Sequence, residues 1–372
     1  MIFKKLIRPL SFAIVVALSG CGDGTIQVDA DESLPEVIED SLPALLDIIV
    51  DQHIAENGPG MALLVRQKGE LLYRHSRGKA NIHVNIDIAG HTGFRLTSLS
   101  ITFIAIALMQ LHEAGKLNLT DKLGEYLPEL NGAYQAISLE QLLTHQSGIP
   151  DLMNDKNDEG LLVFDGMTNA EFMSFYARVD ALEFVPGTAD QYSNTGYLLL
   201  SEVIERASGL SFDDYMLRNI FAPLGMDDSY IIHGQFPRST EDALNFAHLT
   251  QILGFNSQTH GFSGQISSLD DLLLFIQALK FEQLISARTS EEMMQAKVFL
   301  TDLNYRYGYG WLVDPGYSDI VFHSGCFDGY QSRVYLDKAH DLQIIVLANG
   351  GNSSQELYWD IIHLVTGVLV NK

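Results

Sequence analysis

Between Ile101 and Leu111 only Thr102 and Gln110 are polar. A helix formed there is apolar nearly all round and must be covered on every side. The fold therefore has to place structure on more than one side of it, and 372 residues with 47% hydrophobic content supply enough core for that. Length predicts two lobes or one large interleaved domain. Immediately upstream, Phe94-Arg95-Leu96-Thr97-Ser98 reads as a polar turn feeding the helix N-terminus, with Thr97 and Ser98 as capping types. Unpaired backbone N–H groups and the positive end of the helix dipole make such a turn a sound place to stabilise an oxyanion.

Strand patterns flank this helix at both ends of the chain. Leu45, Leu46, Ile49, Val50 and Ile54 recur at helical spacing until Asn57-Gly58-Pro59-Gly60. Met61 to Val65 and Leu71 to Tyr73 then flank Lys68-Gly69 as a hairpin. Residues 118–235 read as short helices and loops, including Ile137 to Leu143, Thr195 to Ala207 and Ser211 to Phe221. Ser268-Leu269-Asp270-Asp271 opens a helix over Leu272 to Leu279. Strands are expected at 309–313, 320–323, 331–336 and 342–347, before a final amphipathic helix carrying Leu357, Ile361, Leu364, Val365 and Val368. The expected architecture is α/β (α+β): a mainly antiparallel sheet flanked by helices, with an inserted helical lobe. The sheet lobe would comprise about 41–95 and 265–372, and the helical lobe about 96–264.

Net charge is −24, which argues against nucleic acid and anionic membrane surfaces as electrostatic partners. Lys4, Lys5 and Arg8 precede an apolar run from Leu10 to Leu18, too short to span a bilayer comfortably; residues 1–20 read as a signal peptide. Its end, Leu18-Ser19-Gly20-Cys21, resembles a bacterial lipobox, which implies a lipid on Cys21 and an exported lipoprotein. Gly22 after that cysteine implies the outer membrane, facing the periplasm. Residues 21–40 are an acidic tether. Cys326 is then a lone thiol whose backbone matters more than its sulfur. The twelve histidines show no metal-ligand spacing, and no Walker or dinucleotide fingerprint is present, so no metal or cofactor is expected.

Two further tripeptides give Ser98 company. Tyr192-Ser193-Asn194 precedes a helix, and His323-Ser324-Gly325 ends a strand. A hydroxyl nucleophile needs a proton acceptor, an orienting group and oxyanion donors. Tyr192 and His323 supply acid/base types, Asn194 an amide for a substrate carbonyl, and Gly325 a strand edge open to substrate backbone.

Together these motifs resemble the β-lactamase-related serine hydrolase family, which includes class C β-lactamases, D,D-peptidases and related esterases. The similarity runs over about 42–370: Phe94 to Ser98 matches F-R-x-x-S, Leu142 to Gly148 matches L-L-T-H-x-S-G, Tyr192-Ser193-Asn194 matches Y-x-N, Pro223 to Met226 matches P-L-G-M, and His323 to Gly325 matches H-x-G. The resemblance implies a β-lactamase/transpeptidase-like fold. By position, it implies Ser98 as acylated nucleophile, Tyr192 as proton relay and Asn194 as substrate amide ligand. His323 takes the place of the third-motif lysine, and the backbone N–H groups of Ser98 and Cys326 form the oxyanion hole. Thr144, His145 and Ser147 are expected to shape a turn beneath the site.

One position departs from the pattern. The nucleophile motif is S-x-x-K, and the lysine position holds Ile101. A lysine there would lower the tyrosine pKa or take the serine proton, and losing a positioned acid/base group removes roughly 10²–10⁴ in rate. The expectation is a serine hydrolase for small esters, amides or D-amino-acid peptides with weakened activity. The alternative is an inactive family member that binds cell-wall-type peptides or assists a partner protein.

Overall fold

The computed structural model describes residues 42–130, 132–151, 167–232, 239, 242–244, 261–327, 329–351 and 353–370. The signal peptide, lipidation and tether assigned to 1–40 lie outside the described residues.

The sheet that dominates the molecule is built from both ends of the chain. Its strands are β1 (Met61–Gln67), β2 (Glu70–Arg77), β3 (Val298–Leu300), β4 (Tyr305–Tyr307), β5 (Leu312–Val313), β6 (Ile320–Phe327), β7 (Tyr330–Asp337) and β8 (Leu342–Ala348). They lie in the order β2-β1-β8-β7-β6-β5-β4-β3, and every pairing between them is antiparallel. The hairpin turn holds Lys68 at φ 48° and Gly69 at φ 88°, the left-handed pair that matches the twist of a two-residue connection. The strand expected over 309–313 is shorter than the pattern suggested. Gly310 sits at φ 76° and breaks the chain into β4 and β5. The strand expected at 320–323 instead runs on to Phe327.

Alternation along the strands separates two cores. On one face Leu63, Val65, Ile344 and Val346 pack with α1 (Leu42–His53) and α5 (Ser353–Leu369). On the other, Ala62, Leu64, Ile345 and Leu347 join the core that contains α2 (Ser100–Glu113). Eleven of the fourteen residues of α2 are buried, and Phe103 stacks on Phe275 of α4 (Leu269–Lys280) at 3.7 Å between ring centroids. The central helix is thus wrapped on all sides, as its composition requires. Ser268 caps α4 by accepting the Asp271 N–H at 3.1 Å. The segment read as one helix over 211–221 is α-helical only to Met216 and continues as a π-turn over Leu217–Phe221. No helix among the described residues is long and apolar enough to cross a membrane.

Candidate active site

Ser98 lies in a 3₁₀ turn, Thr97–Leu99, that runs directly into α2. The capping role suggested for Thr97 and Ser98 does not occur. The residues in the N-cap positions of the turn and of α2 are Leu96 and Leu99, with no side-chain cap bond at either. The Ser98 hydroxyl is therefore not spent on the helix end. Thr97 adopts φ 50°, a left-handed conformation that is strained for a β-branched residue. The strain is held by a neighbour. A Cβ on Gly325 of β6 would fall 2.0 Å from Thr97 Oγ1 and 2.2 Å from the Leu96 carbonyl oxygen, so only glycine lets the strand close on this turn. Ser332 of β7 donates to the same Leu96 carbonyl at 2.5 Å.

Beyond Phe322, β6 has no partner from β5, which pairs only with Val321 and Phe322. The stretch that carries His323 and Gly325 therefore has no strand on that edge beside Ser98 among the described residues, the geometry an extended substrate requires. Cys326 is not a free thiol: it is disulfide-bonded, its other half lying outside the described residues. That corrects the expectation of a lone cysteine.

Tyr192 arrives from the loop ahead of α3 (Asn194–Ser208). Its hydroxyl is buried without a completed hydrogen bond and faces Ser98, the one group that lowers its pKa. Burial, Asp151 and Asp302 all raise that pKa, so the phenol stays protonated. No cation among the described residues acts on it. The lysine position, Ile101, is 0% exposed and belongs to the core.

Two histidines lie beneath. His145, at φ 59°, places its ring 4.5 Å from that of Tyr192 and 4.6 Å from that of Tyr307, whose ring meets His323 at 6.3 Å. Burial pushes His145 down to about 3 and His323 down to about 4, so both rings are neutral at neutral pH. Their tautomers are fixed by backbone. His145 Nδ1 accepts the Ser193 N–H at 3.0 Å, which puts its proton on Nε2. His323 Nδ1 meets the Ser324 carbonyl at 3.1 Å, and a carbonyl can only accept, so His323 Nε2 carries a lone pair. Both Nε2 atoms are buried and unpartnered. Unpaired polar atoms collected at one spot mark a place where a ligand or water completes the set.

Asn194 opens α3, and its orientation comes from a residue the sequence did not single out. Asp151 accepts Asn194 Nδ2 at 3.0 Å, the Asn194 N–H at 2.9 Å and Thr195 Oγ1 at 3.0 Å. That bond uses one of the two Nδ2 hydrogens and fixes the amide plane, so the Asn194 carbonyl oxygen is held in place to accept a substrate N–H. The Thr144–Gly148 turn is pinned to the loop that leads to Tyr192, through Gly187 N–H to the Gln146 carbonyl at 2.9 Å and Gln191 N–H to the His145 carbonyl at 3.0 Å. Asp302 accepts the Tyr192 N–H at 3.1 Å. Asp151 had one faint signal, an acid just after the Gly148-Ile149-Pro150 turn; Asp302 and Tyr307 had none that set them apart from loop and core.

Comparison with known proteins places this geometry. The Beta-lactamase family model matches residues 46–366. The chain is 30% identical over 323 residues to Penicillin-binding protein 4* of Bacillus subtilis (strain 168), covering 77% of this chain and 67% of that protein. It is 24% identical over 325 residues to Protein flp of Staphylococcus aureus (strain NCTC 8325 / PS 47), covering 82% of this chain and 62% of that one, so it spans about three fifths to two thirds of these relatives. Among solved structures, a penicillin binding protein from Bacillus halodurans superposes with TM-score 0.75 at 23% identity, covering 86% of this chain and 99% of its own. SurE, solved with D-Leu, does so with TM-score 0.70 at 25% identity, covering 90% and 77%. With the matched model spanning most of its length, the chain belongs to the Beta-lactamase family.

Proposed function

We propose that the protein is a serine hydrolase that acylates Ser98 with small esters, amides or peptides ending in D-amino acids. The observation that carries this is the Ser98 hydroxyl, uncommitted to capping and facing Tyr192, beside the edge of β6 that carries His323, a neutral imidazole with an open lone pair. In the proposed step Ser98 Oγ attacks the substrate carbonyl carbon. The serine proton passes to the Tyr192 oxygen as Tyr192 releases its own, with His323 Nε2 as the acceptor. The carbonyl oxygen gathers negative charge against the N–H groups of Ser98 and Cys326. Protonation of the leaving group returns the tyrosine proton, and water then cleaves the acyl-enzyme by the same route reversed. A structural relative solved with D-Leu supports the D-amino-acid class. So does the Asn194 carbonyl, held by Asp151 to accept a substrate amide.

A fluorophosphonate or activated ester should add its mass to Ser98, and Ser98→Ala should abolish the adduct. An unmodified intact mass after long incubation with both reagents would sink the proposal. A second reading, a binding protein without turnover, is favoured by one observation: no cation among the described residues replaces the lysine, and Tyr192 is held protonated. It requires peptide binding that Ser98→Ala leaves intact. On either reading we propose export with a lipid on Cys21, a form in which the lipid takes the place of the bridge to Cys326.

A further inference from the structure

Arg333 on β7 is 3% exposed, and its guanidinium lies 4.1 Å above the ring of Tyr358 on α5. The charged or ionisable groups that act on it are the phenols of Tyr358 and Tyr305; no carboxylate among the described residues does so. Its Nε is buried with no hydrogen-bond acceptor, and the Tyr305 hydroxyl is buried and unpartnered as well. Both residues line a cavity of about 10 Å³, together with Ser324 and the apolar walls of Leu312 and Phe322. That is room for a single water-sized particle.

The chemistry of the lining selects the particle. A guanidinium does not shed its proton, so the charge persists however deeply it is buried. Around the cavity stand one cationic N–H donor and two hydroxyls free to turn their hydrogens inward, and no group there has to be an acceptor. Water would satisfy one donor but leave the charge uncompensated, which is the costly part of the burial. We propose that a monovalent halide, chloride under ordinary conditions, occupies this cavity as the counter-ion of Arg333. Ser324 and Arg333 are directly opposite in the β6–β7 ladder, and Gly325 faces the Ser98 turn from the other side. The ion therefore sits behind the strand segment that carries His323, on the far face of the sheet from Ser98, and braces it.

The test uses the full mature chain, dialysed free of halide. Thermal unfolding in sodium chloride is compared with sodium gluconate at equal ionic strength, gluconate being too large for the cavity. Tm should rise by about 2 °C per tenfold increase in chloride above half-saturation, and Arg333→Leu should remove that dependence. Should the variant not fold, wild-type crystals soaked in bromide decide alone: an anomalous peak between Arg333 and Tyr305 supports the site. Equal Tm in chloride and gluconate with no bromide peak, or a water in the cavity with no anomalous signal, overturns it.

Discussion

The imidazole of His145 lies against the phenol ring of Tyr192, with centroids 4.5 Å apart and planes inclined by 36°, while its Nδ1 takes the N–H of the next residue, Ser193. One side chain therefore sets both the backbone and the ring of the residue facing the nucleophile. It does so only as the neutral species, because an imidazolium would have to turn an N–H toward Ser193 N–H.

This neutrality predicts the pH dependence. His145 and His323 are depressed from 6.5 to about 3 and about 4. The unfolded chain takes up protons below 6.5 that the folded one refuses, so the stability tied to each ring is full above pH 6.5 and is lost as pH falls toward the folded value. The shifts correspond to about 5 kcal/mol for His145 and about 3 kcal/mol for His323 across that window. Asp271, raised to about 6, acts in the opposite sense, losing stability as pH rises from 3.8. The measurement is therefore a difference: Tm against pH for wild type minus His145→Gln. The difference should shrink as pH drops from 6.5 to 4; a constant offset contradicts the assignment. Hydrolysis based on His323 should likewise rise with a limb near pH 4 and stay flat to pH 8. Activity that climbs steadily past pH 9 would instead point to a Tyr192 phenolate.

Asp151→Ala tests the orientation of Asn194. The carboxylate satisfies the N-terminus of α3 as well as the Asn194 amide, so its loss should destabilise the fold by about 1–2 kcal/mol. For a peptide or amide substrate the KM should rise roughly tenfold or more, because Asn194 is free to rotate. An ester that lacks the N–H should show little change in KM. Equal effects on both substrates would mean that Asp151 acts through stability alone.

Lipid and disulfide compete for the same sulfur. The chain holds two cysteines, so a thioether on Cys21 and an intramolecular bridge to Cys326 exclude each other. Expressed with its own leader in a Gram-negative host, the protein should enter the detergent phase, carry diacylglycerol at Cys21 and show one titratable thiol. Cys21→Ser should move it to the aqueous phase. A soluble, lipid-free wild type with no titratable thiol would refute the lipoprotein reading.

The sheet and the central helix were legible because their apolar runs are long and bounded by turn residues. The runs of β1 and β8, buried on both faces, and the nearly all-apolar α2 leave few arrangements. The motif residues were legible only through likeness to known motifs. What spacing did not show was the interior of the site. Asp151 lies 43 residues before Asn194, and the ring of Tyr307 sits against His145 from a strand on the far side of the helical segment. Such pairs have no local period; they are made by the topology. The same applies to the strand read across 309–313, where alternating aromatics mimic a β pattern but Gly310 turns the chain toward α2.

Ile101→Lys asks whether the missing lysine is the sole defect. Residue 101 is on the helical turn after Ser98, wholly buried, with Ser98 and Tyr192 as hydroxyl acceptors at the helix start. The field at the Tyr192 hydroxyl suits a cation, since two carboxylates, Asp151 and Asp302, act on it. Burying an ammonium costs stability, about 1–3 kcal/mol after its hydrogen bonds are counted, and Tm should fall. Against that, the charge opposes everything that now raises the Tyr192 pKa, and kcat/KM for an activated ester should rise by roughly 10²-fold or more. The pH profile should change with it, the acid limb near 4 giving way to one set by the new lysine–tyrosine pair. A folded variant with unchanged kcat/KM would show that the pocket around Ser98 has diverged beyond the single position, and would favour the binding protein over the hydrolase.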